Sequence, residues 1–150
     1  MAKVVIFGVK DTAELAHFYL THDTEHDVVA FTVHQDYIED SYFKGLPVVA
    51  FENIENYYPS DKFKMFAPMT AKNMNRLRES VYDEVTRKGY EFVSYISSKA
   101  TVYDESRIGK NCFILEDNTI QPFTSIGNNV VLWSGNHIGH HGEIKDHVFF

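Results

Sequence analysis

Cysteine is nearly absent. Cys112 stands alone in 150 residues, so no internal disulfide can staple the chain and the fold must rest on a packed core. Long apolar runs are missing too; stretches such as Val4-Val5-Ile6-Phe7 are far too short to cross a bilayer. Positive charge is sparse, with 14 Lys and Arg against 21 Asp and Glu for a net charge of −7. No Lys/Arg cluster supplies the basic face that a nucleic-acid partner demands. Met1-Ala2-Lys3 runs straight into strand-like sequence without a charged leader or cleavage signal, and the expected location is the cytoplasm. The remainder is globular in composition, 44% hydrophobic and 15% aromatic, which excludes disorder, collagen and coiled coil. The length suits one domain, or two small ones.

The first half alternates strand-like and helix-like segments. Lys3–Phe7 is an apolar run ending at Gly8, as a buried parallel strand would be. Asp11 with Glu14 reads as a capping box opening a helix whose apolar face is Leu15, Phe18 and Tyr19, as far as His22. Asp27–Val33 predicts a second strand and Gly45–Val49 a short edge strand, because Pro47 suits an edge. Phe51–Tyr57 predicts a short helix, Phe63–Ala67 a strand, Asn73–Lys88 a helix closed by Gly89, and Glu91–Ile96 a final strand. This alternation is that of a small parallel α/β unit.

From Ile96 onward the period changes. An apolar residue recurs every six positions at Val102, Ile108, Ile114, Ile120, Ile126, Leu132, Ile138 and Ile144, with Phe150 next. Seven of the ten isoleucines share this register, which neither a helix nor a flat strand explains. It is the mark of hexapeptide β-helix repeats. Two residues before most of these stands a small side chain (Ala100, Ser106, Cys112, Asn118, Thr124, Asn136, Gly142), as the corners of a tight triangular coil require. Gly109, Gly127 and Gly139 directly follow their isoleucines. Eighteen residues close one three-sided coil, so residues 96–149 supply three.

An α/β lead-in joined to unbroken hexads resembles the bacterial hexapeptide-repeat acyltransferases that acetylate nucleotide-linked sugars, including the sialic-acid O-acetyltransferase-like group. The resemblance runs through Val-Val-Ile-Phe-Gly at 4–8, Ala-Glu-Leu-Ala at 13–16, Val-Val-Ala-Phe-Thr-Val at 28–33, Gly-Leu-Pro-Val-Val at 45–49, Val-Ser-Tyr-Ile-Ser-Ser-Lys-Ala-Thr-Val at 93–102 and Gly-Asn-His-Ile-Gly-His-His at 135–141. It implies a small Rossmann-like parallel α/β domain over 1–95 that binds a nucleotide sugar. A left-handed parallel β-helix of about three coils is implied over 96–150. It further implies assembly as a homotrimer, acetyl-coenzyme A as co-substrate in a groove between neighbouring prisms, and a histidine on the β-helix as general base.

Candidate site residues follow. The loop Gly8-Val9-Lys10-Asp11-Thr12 leaves a strand and opens a helix, where open α/β sheets bind ligands and backbone N–H groups can hold a phosphate. Lys10 stands where the family tends to place a second glycine, so either its side chain blocks close approach or its ammonium contacts the diphosphate. Relatives carry Asp directly after the second strand; this chain has His34, with Asp36 the nearest substitute for contacting a ribose. Met69, in Ala67-Pro68-Met69-Thr70 after another strand, is placed in the same pocket. Four of the eight histidines (His137, His140, His141 and His147) fall within eleven residues, and imidazole is the natural base near neutral pH. Matching the hexads to the family puts its catalytic histidine at His140, followed here by His141 rather than an acid, with His137 an assistant in binding.

Other chemistries are weaker. Three histidines would suffice for zinc, but residues stacked on one face lie eighteen apart and these do not, so no metal is expected within one chain. Cys112 occupies a small-residue corner, as a buried neutral thiol would, rather than acting as a nucleophile. Trp133 follows the inward Leu132 and is expected to point outward, at a trimer contact or the coenzyme groove. Family members continue for several further coils beyond the position of Phe150, so a C-terminally shortened chain is expected. The alternative function is then a non-catalytic nucleotide-sugar-binding module.

Overall fold

The computed structural model describes residues 1–70 and 76–150 and divides into two compact units. The first comprises Met1–Met69 and Val81–Val93, the second Thr70–Ser80 and Ser94–Phe150.

The first unit is built on β1 (Lys3–Phe7), α1 (Asp11–Asp23), β2 (Asp27–Val33), β3 (Tyr42–Phe43), β4 (Leu46–Ala50), α2 (Ile54–Tyr57) and β5 (Lys64–Phe66), with the C-terminal part of α3 (Arg76–Arg87). The sheet is mixed, in the order β3-β4-β2-β1-β5. The β1–β2, β1–β5 and β2–β4 pairs are parallel, and β3–β4 is antiparallel. Ala30 and Phe31 are adjacent in β2 and so face opposite sides. Ala30 joins Val5, Phe7 and Met65 in a cluster closed by Val81 and Val85 of α3, whereas the Phe31 ring meets His17 of α1 at 5.7 Å. Helices therefore cover both faces, as a buried parallel sheet requires.

Three sequence expectations change, and a fourth, the long helix before Gly89, stands over the described residues. Proline puts β4 at an edge in the sequence reading, but β3 is the edge. Lys44 and Gly45 both have positive φ (51° and 78°), the two-residue turn that folds a hairpin strand onto β4, and Pro47 sits opposite Tyr42 of that edge strand. The Asp11 capping box does not form. Asp11 is already the first helical residue and Lys10 is the N-cap, its carbonyl accepting from the Glu14 N–H at 3.0 Å, while the Glu14 carboxylate pairs with Lys44 at 2.9 Å. The helix expected at Asn73–Lys88 is α3; residues 73–75 lie outside the described residues, and Gly89 (φ 86°) follows its end. Glu91–Ile96 is not one strand. Phe92 bridges to Met65, whereas Tyr95–Ile96 pairs with Phe113–Ile114 in a different sheet.

In the second unit, β6 (Tyr95–Ile96), β8 (Phe113–Ile114) and β11 (Val131–Leu132) form one parallel ladder. A second joins β7 (Thr101–Val102), β9 (Thr119–Ile120) and β12 (His137–Ile138). The third joins β10 (Ser125–Ile126) and β13 (Glu143–Ile144), with Ile108 bridged to Ile126. Every pairing joins residues eighteen apart, as in Ile96↔Ile114↔Leu132. This is a three-sided parallel β-helix, with Ile114, Ile120, Ile126, Leu132 and Ile144 buried in its axis.

Two-residue strands cannot hold themselves together, so the corners matter. Left-handed backbone recurs every six residues, at Asn111, Asp117, Phe123, Asn129, Gly135, His141 and His147, with φ between 54° and 85°. The small residue follows one place later, and its role is more than steric. The side chains of Ser94, Cys112, Asn118 and Thr124 each donate to the carbonyl fifteen residues on, at Gly109, Gly127, Trp133 and Gly139, over 2.8, 3.1, 2.8 and 2.7 Å. The oxygens of Ser94, Asn118 and Thr124 accept from the N–H eighteen residues on, at Cys112, Asn136 and Gly142. Arg78, only 2% exposed, donates to the carbonyls of Asn129 (2.7 Å) and His147 (3.0 Å).

Coil stacking also explains two glycines. A Cβ on Gly109 would lie 2.5 Å from the Gly127 carbonyl oxygen, and one on Gly127 would lie 2.8 Å from the Asp146 nitrogen, whereas one on Gly139 meets nothing within 4 Å. Gly109→Ala and Gly127→Ala should each lower unfolding free energy by about 1–3 kcal/mol through backbone overpacking. Gly139→Ala should stay within ~0.5 kcal/mol of the parent. Urea denaturation of the three variants checks this, and equal stabilities would contradict the stacking.

Candidate functional site

Two groups of candidate residues exist, one in each unit. In the first, β1, β2, β4 and β5 run parallel, so their carboxyl ends share an edge of the sheet. Gly8 leaves β1 with φ 127°, its N–H donating to the Thr32 carbonyl at 2.9 Å, and a Cβ there would press on Ala13 at 3.2 Å. That glycine lets the chain turn tightly into α1. Lys10 is exposed, and Asp11 and Thr12 form the first turn of α1. The Lys10 ammonium reaches Glu39 at 3.4 Å, joining the loop after β1 to the loop after β2. Asp36 is exposed in the 3-10 turn Gln35–Tyr37 of that second loop. Met69, beyond β5, packs partly buried against the core rather than standing out from it.

His34 follows β2 and is half-buried. Its Nε2 meets the Glu84 carboxylate at 2.9 Å, and its ring lies edge-on to Phe7 and Phe51, at 5.5 Å from each. Glu84 is a residue the sequence reading missed; its only signal is that it falls on the helix face carrying Val81 and Val85. Glu52 accepts from the Gln35 N–H at 3.0 Å, and its own backbone, followed by that contact, holds its carboxyl below the usual range. The edge thus presents the Lys10 ammonium among several acids.

The second group lies on the β-helix. His137 points out from β12, below the corner that carries His140 and His141, and all three are exposed. The His140 N–H donates to Gln121 Oε1 at 2.9 Å. The Nδ1 atoms of His140 and His141 approach to 3.0 Å with the rings nearly perpendicular (88°). The His141 ring stacks on Phe123 at 4.9 Å between centroids. Gln121 and Phe123 were also missed, although subtracting one eighteen-residue coil from His141 leads directly to Phe123. A proton acceptor at an open corner, with its backbone and neighbour fixed, is what a general base requires.

His147 is used differently. Its Nδ1 lies 2.9 Å from the Asn129 amide nitrogen and its Nε2 3.9 Å from Glu79. Among the described residues, no three His, Cys, Asp or Glu gather as a metal site would. None of the described helices is long and apolar enough to cross a membrane. Trp133 is half-buried, not fully exposed as expected, because its indole packs on Phe113 and edge-on to Phe149 at 5.9 Å.

The family model "Bacterial transferase hexapeptide (six repeats)" matches residues 105–140. This stretch is similar to the hexapeptide repeats of bacterial transferases. No curated protein matches the sequence. Solved structures share the fold across nearly the whole chain at low identity. The acetyltransferase domain of PglB from Neisseria gonorrhoeae FA1090 is 15% identical, with a TM-score of 0.77 over 99% of this chain and 70% of that one. It has also been solved with acetyl coenzyme A. A histidine-to-asparagine mutant of perosamine N-acetyltransferase from Caulobacter crescentus, in complex with CoA and GDP-perosamine, is 18% identical, with a TM-score of 0.78 over 99% of this chain and 68% of that one. WeeI from Acinetobacter baumannii AYE is 16% identical, with a TM-score of 0.67 over 100% and 69%. The mixed sheet followed by a parallel β-helix is therefore a fold that this chain shares with these solved structures.

Cys112 is fully buried, and burial pushes its thiol up to about 11. Only about a thousandth is thiolate at roughly pH 8. Iodoacetamide should therefore label the native protein at least ~10-fold more slowly than the denatured chain. The native rate should climb with pH until the pH nears that value. Equal native and denatured rates would contradict the burial.

Proposed function

We propose that this protein transfers an acetyl group from acetyl-coenzyme A to an amino group, or failing that a hydroxyl, of a nucleotide-linked sugar. His140 is the general base. The observation that carries the reading is His140 at an outer corner of a transferase hexapeptide coil, its backbone tied to Gln121 and its ring touching His141. The likeness to folds solved with CoA, acetyl coenzyme A and GDP-perosamine supports the choice of substrates.

In this reading the first unit is Rossmann-like and binds the nucleotide at the carboxyl ends of its parallel strands. The N-terminus of α1 and Lys10 face the diphosphate, with Asp36 near the ribose. Met69 lies below that edge and His137 assists near the sugar. The β-helix is left-handed, assembles as a homotrimer in the cytoplasm, and holds acetyl-coenzyme A between neighbouring prisms. The sugar nitrogen attacks the thioester carbonyl carbon, forming a C–N bond while its proton passes to a ring nitrogen of His140. Collapse of the tetrahedral intermediate breaks the C–S bond, and the imidazolium returns the proton to the departing thiolate. Apart from this proton transfer, catalysis comes from holding the two substrates in line.

His140→Ala should lower kcat by about 10²–10⁴-fold. Its affinity for a nucleotide sugar, read by calorimetry, should stay within about threefold, since the base does not hold the nucleotide. Undiminished turnover would remove His140 from the role. Binding of nucleotide sugar without any binding of acetyl-coenzyme A by the parent would support a binding module in place of an enzyme.

A further inference from the structure

Phe123 is an odd residue for its backbone. Of the seven left-handed corner positions, six carry Asn, Asp, Gly or His, at 111, 117, 129, 135, 141 and 147, the types that tolerate φ near +60°. Phe123 has φ 65° with a bulky ring, and that ring is 60% exposed. It thus gains little from burial while bearing the strain of a left-handed backbone. Strain kept at an exposed position points to work done there. What the ring does is lie under His141, at 4.9 Å and tilted by 29°. His141 occupies the same corner one coil later (φ 57°), so the two rings are stacked by the eighteen-residue repeat itself.

The second observation is the 3.0 Å approach of the His140 and His141 Nδ1 atoms. Two nitrogen lone pairs repel at that distance, as do two N–H groups, so one proton must lie between them. Whichever nitrogen carries it donates to the other. His140 is the residue with its backbone N–H anchored, to Gln121, and His141 the one with its ring plane fixed, on Phe123.

Resting on the function proposed above, we infer that His141 is a positioning residue. Held by Phe123, it accepts the His140 Nδ1–H through its own Nδ1 and so leaves the lone pair that takes the substrate proton on His140 Nε2. An imidazole thereby does the orienting that a carboxylate does in other base-orienter pairs. In contrast to a carboxylate, it can accept only as the neutral Nε2–H tautomer, and only while its ring is held edge-to-face with its neighbour. That requirement accounts for a strained, exposed phenylalanine one coil below.

The test uses His141→Gly, which removes the acceptor but suits the corner; His141→Asn, which keeps both an acceptor and the corner; and Phe123→Asn, which relieves the strain and removes the platform. Nitrogen-15 correlation spectra of the imidazoles in mildly alkaline solution read the tautomers directly. His140 should be Nδ1-protonated in the parent and in His141→Asn, and should revert to the mixture of a free imidazole in His141→Gly and Phe123→Asn. The kcat should drop at least ~10-fold in His141→Gly with KM for the nucleotide sugar within about threefold, and His141→Asn should recover most of it. Phe123→Asn should be as stable as the parent or more so, yet slower. An unchanged His140 tautomer in His141→Gly overturns the inference, whatever the activity. A parent with the expected tautomers but no acetyl transfer would leave the pair standing and refute the proposed function.

Discussion

Everything in the β-helix depends on how its corners dispose of backbone polar groups. The strands are two residues long, and between them the chain turns through left-handed backbone at every sixth residue. Each turn exposes N–H and C=O groups that the strand ladders cannot reach, inside a coil where water does not enter. The side chains of Ser94, Asn118 and Thr124 supply what is missing, donating to the carbonyl fifteen residues on and accepting from the N–H eighteen on. Such bonds contribute about 1 kcal/mol each, and losing one partner leaves a buried group unsatisfied at greater cost. Isoleucines fill the axis, but these side chains fix the register of coil on coil. That register stacks Phe123 under His141 and brings Gln121 to His140.

The axis was legible because its requirement is one of side-chain type: an inward position admits Ile, Leu or Val, and Ile114, Ile120, Ile126 and Leu132 meet it without exception. The left-handed position was not. Asn111, Asp117, Phe123, Asn129, Gly135, His141 and His147 share a backbone conformation but differ in size, charge and hydrophobicity. Inference from small residues alone therefore places the corner one residue late and assigns it a steric reason. In the α/β part, β2 matches its expected bounds because burial on both faces makes an unbroken apolar run. The edge was misplaced because β3 has only two residues and no pattern of its own, and its existence is encoded in the Lys44-Gly45 turn. The alternation around Phe92, Val93 and Tyr95 runs on smoothly while the hydrogen-bond partners change from Met65 to Phe113. Periodicity reports which side a residue faces and is silent about what it faces.

The candidate site divides in the same way. A cluster of histidines is visible in any reading of the chain, but what makes His140 and His141 differ from their neighbours is supplied by residues eighteen to nineteen positions earlier. At the sheet edge, His34 stands where an acid was expected, and its bond to Glu84 depends on a helix fifty residues away. Local sequence shows the chemistry available; the stacking decides which atoms of it meet.

His141 and His147 make that point sharply, for they occupy equivalent corners with nearly the same φ, 57° and 66°. At the His147 corner, Asn129 Oδ1 accepts from the Asn111 amide at 3.0 Å, and the buried Arg78 guanidinium donates to the same oxygen at 3.4 Å. Flipping the Asn129 amide would face donors with donors, so its NH₂ is committed to His147 Nδ1, and that imidazole is held as an Nδ1 acceptor. The guanidinium therefore sets, through one asparagine, the tautomer of a histidine it touches only at the backbone carbonyl. At the His141 corner the equivalent place below holds Phe123, which offers a face and no hydrogen bond. The ring nitrogens of His141 are then turned sideways to His140 instead of down into the ladder. One scaffold position thus gives an imidazole bonded into the ladder where the residue beneath is Asn and one turned toward its neighbour where it is Phe.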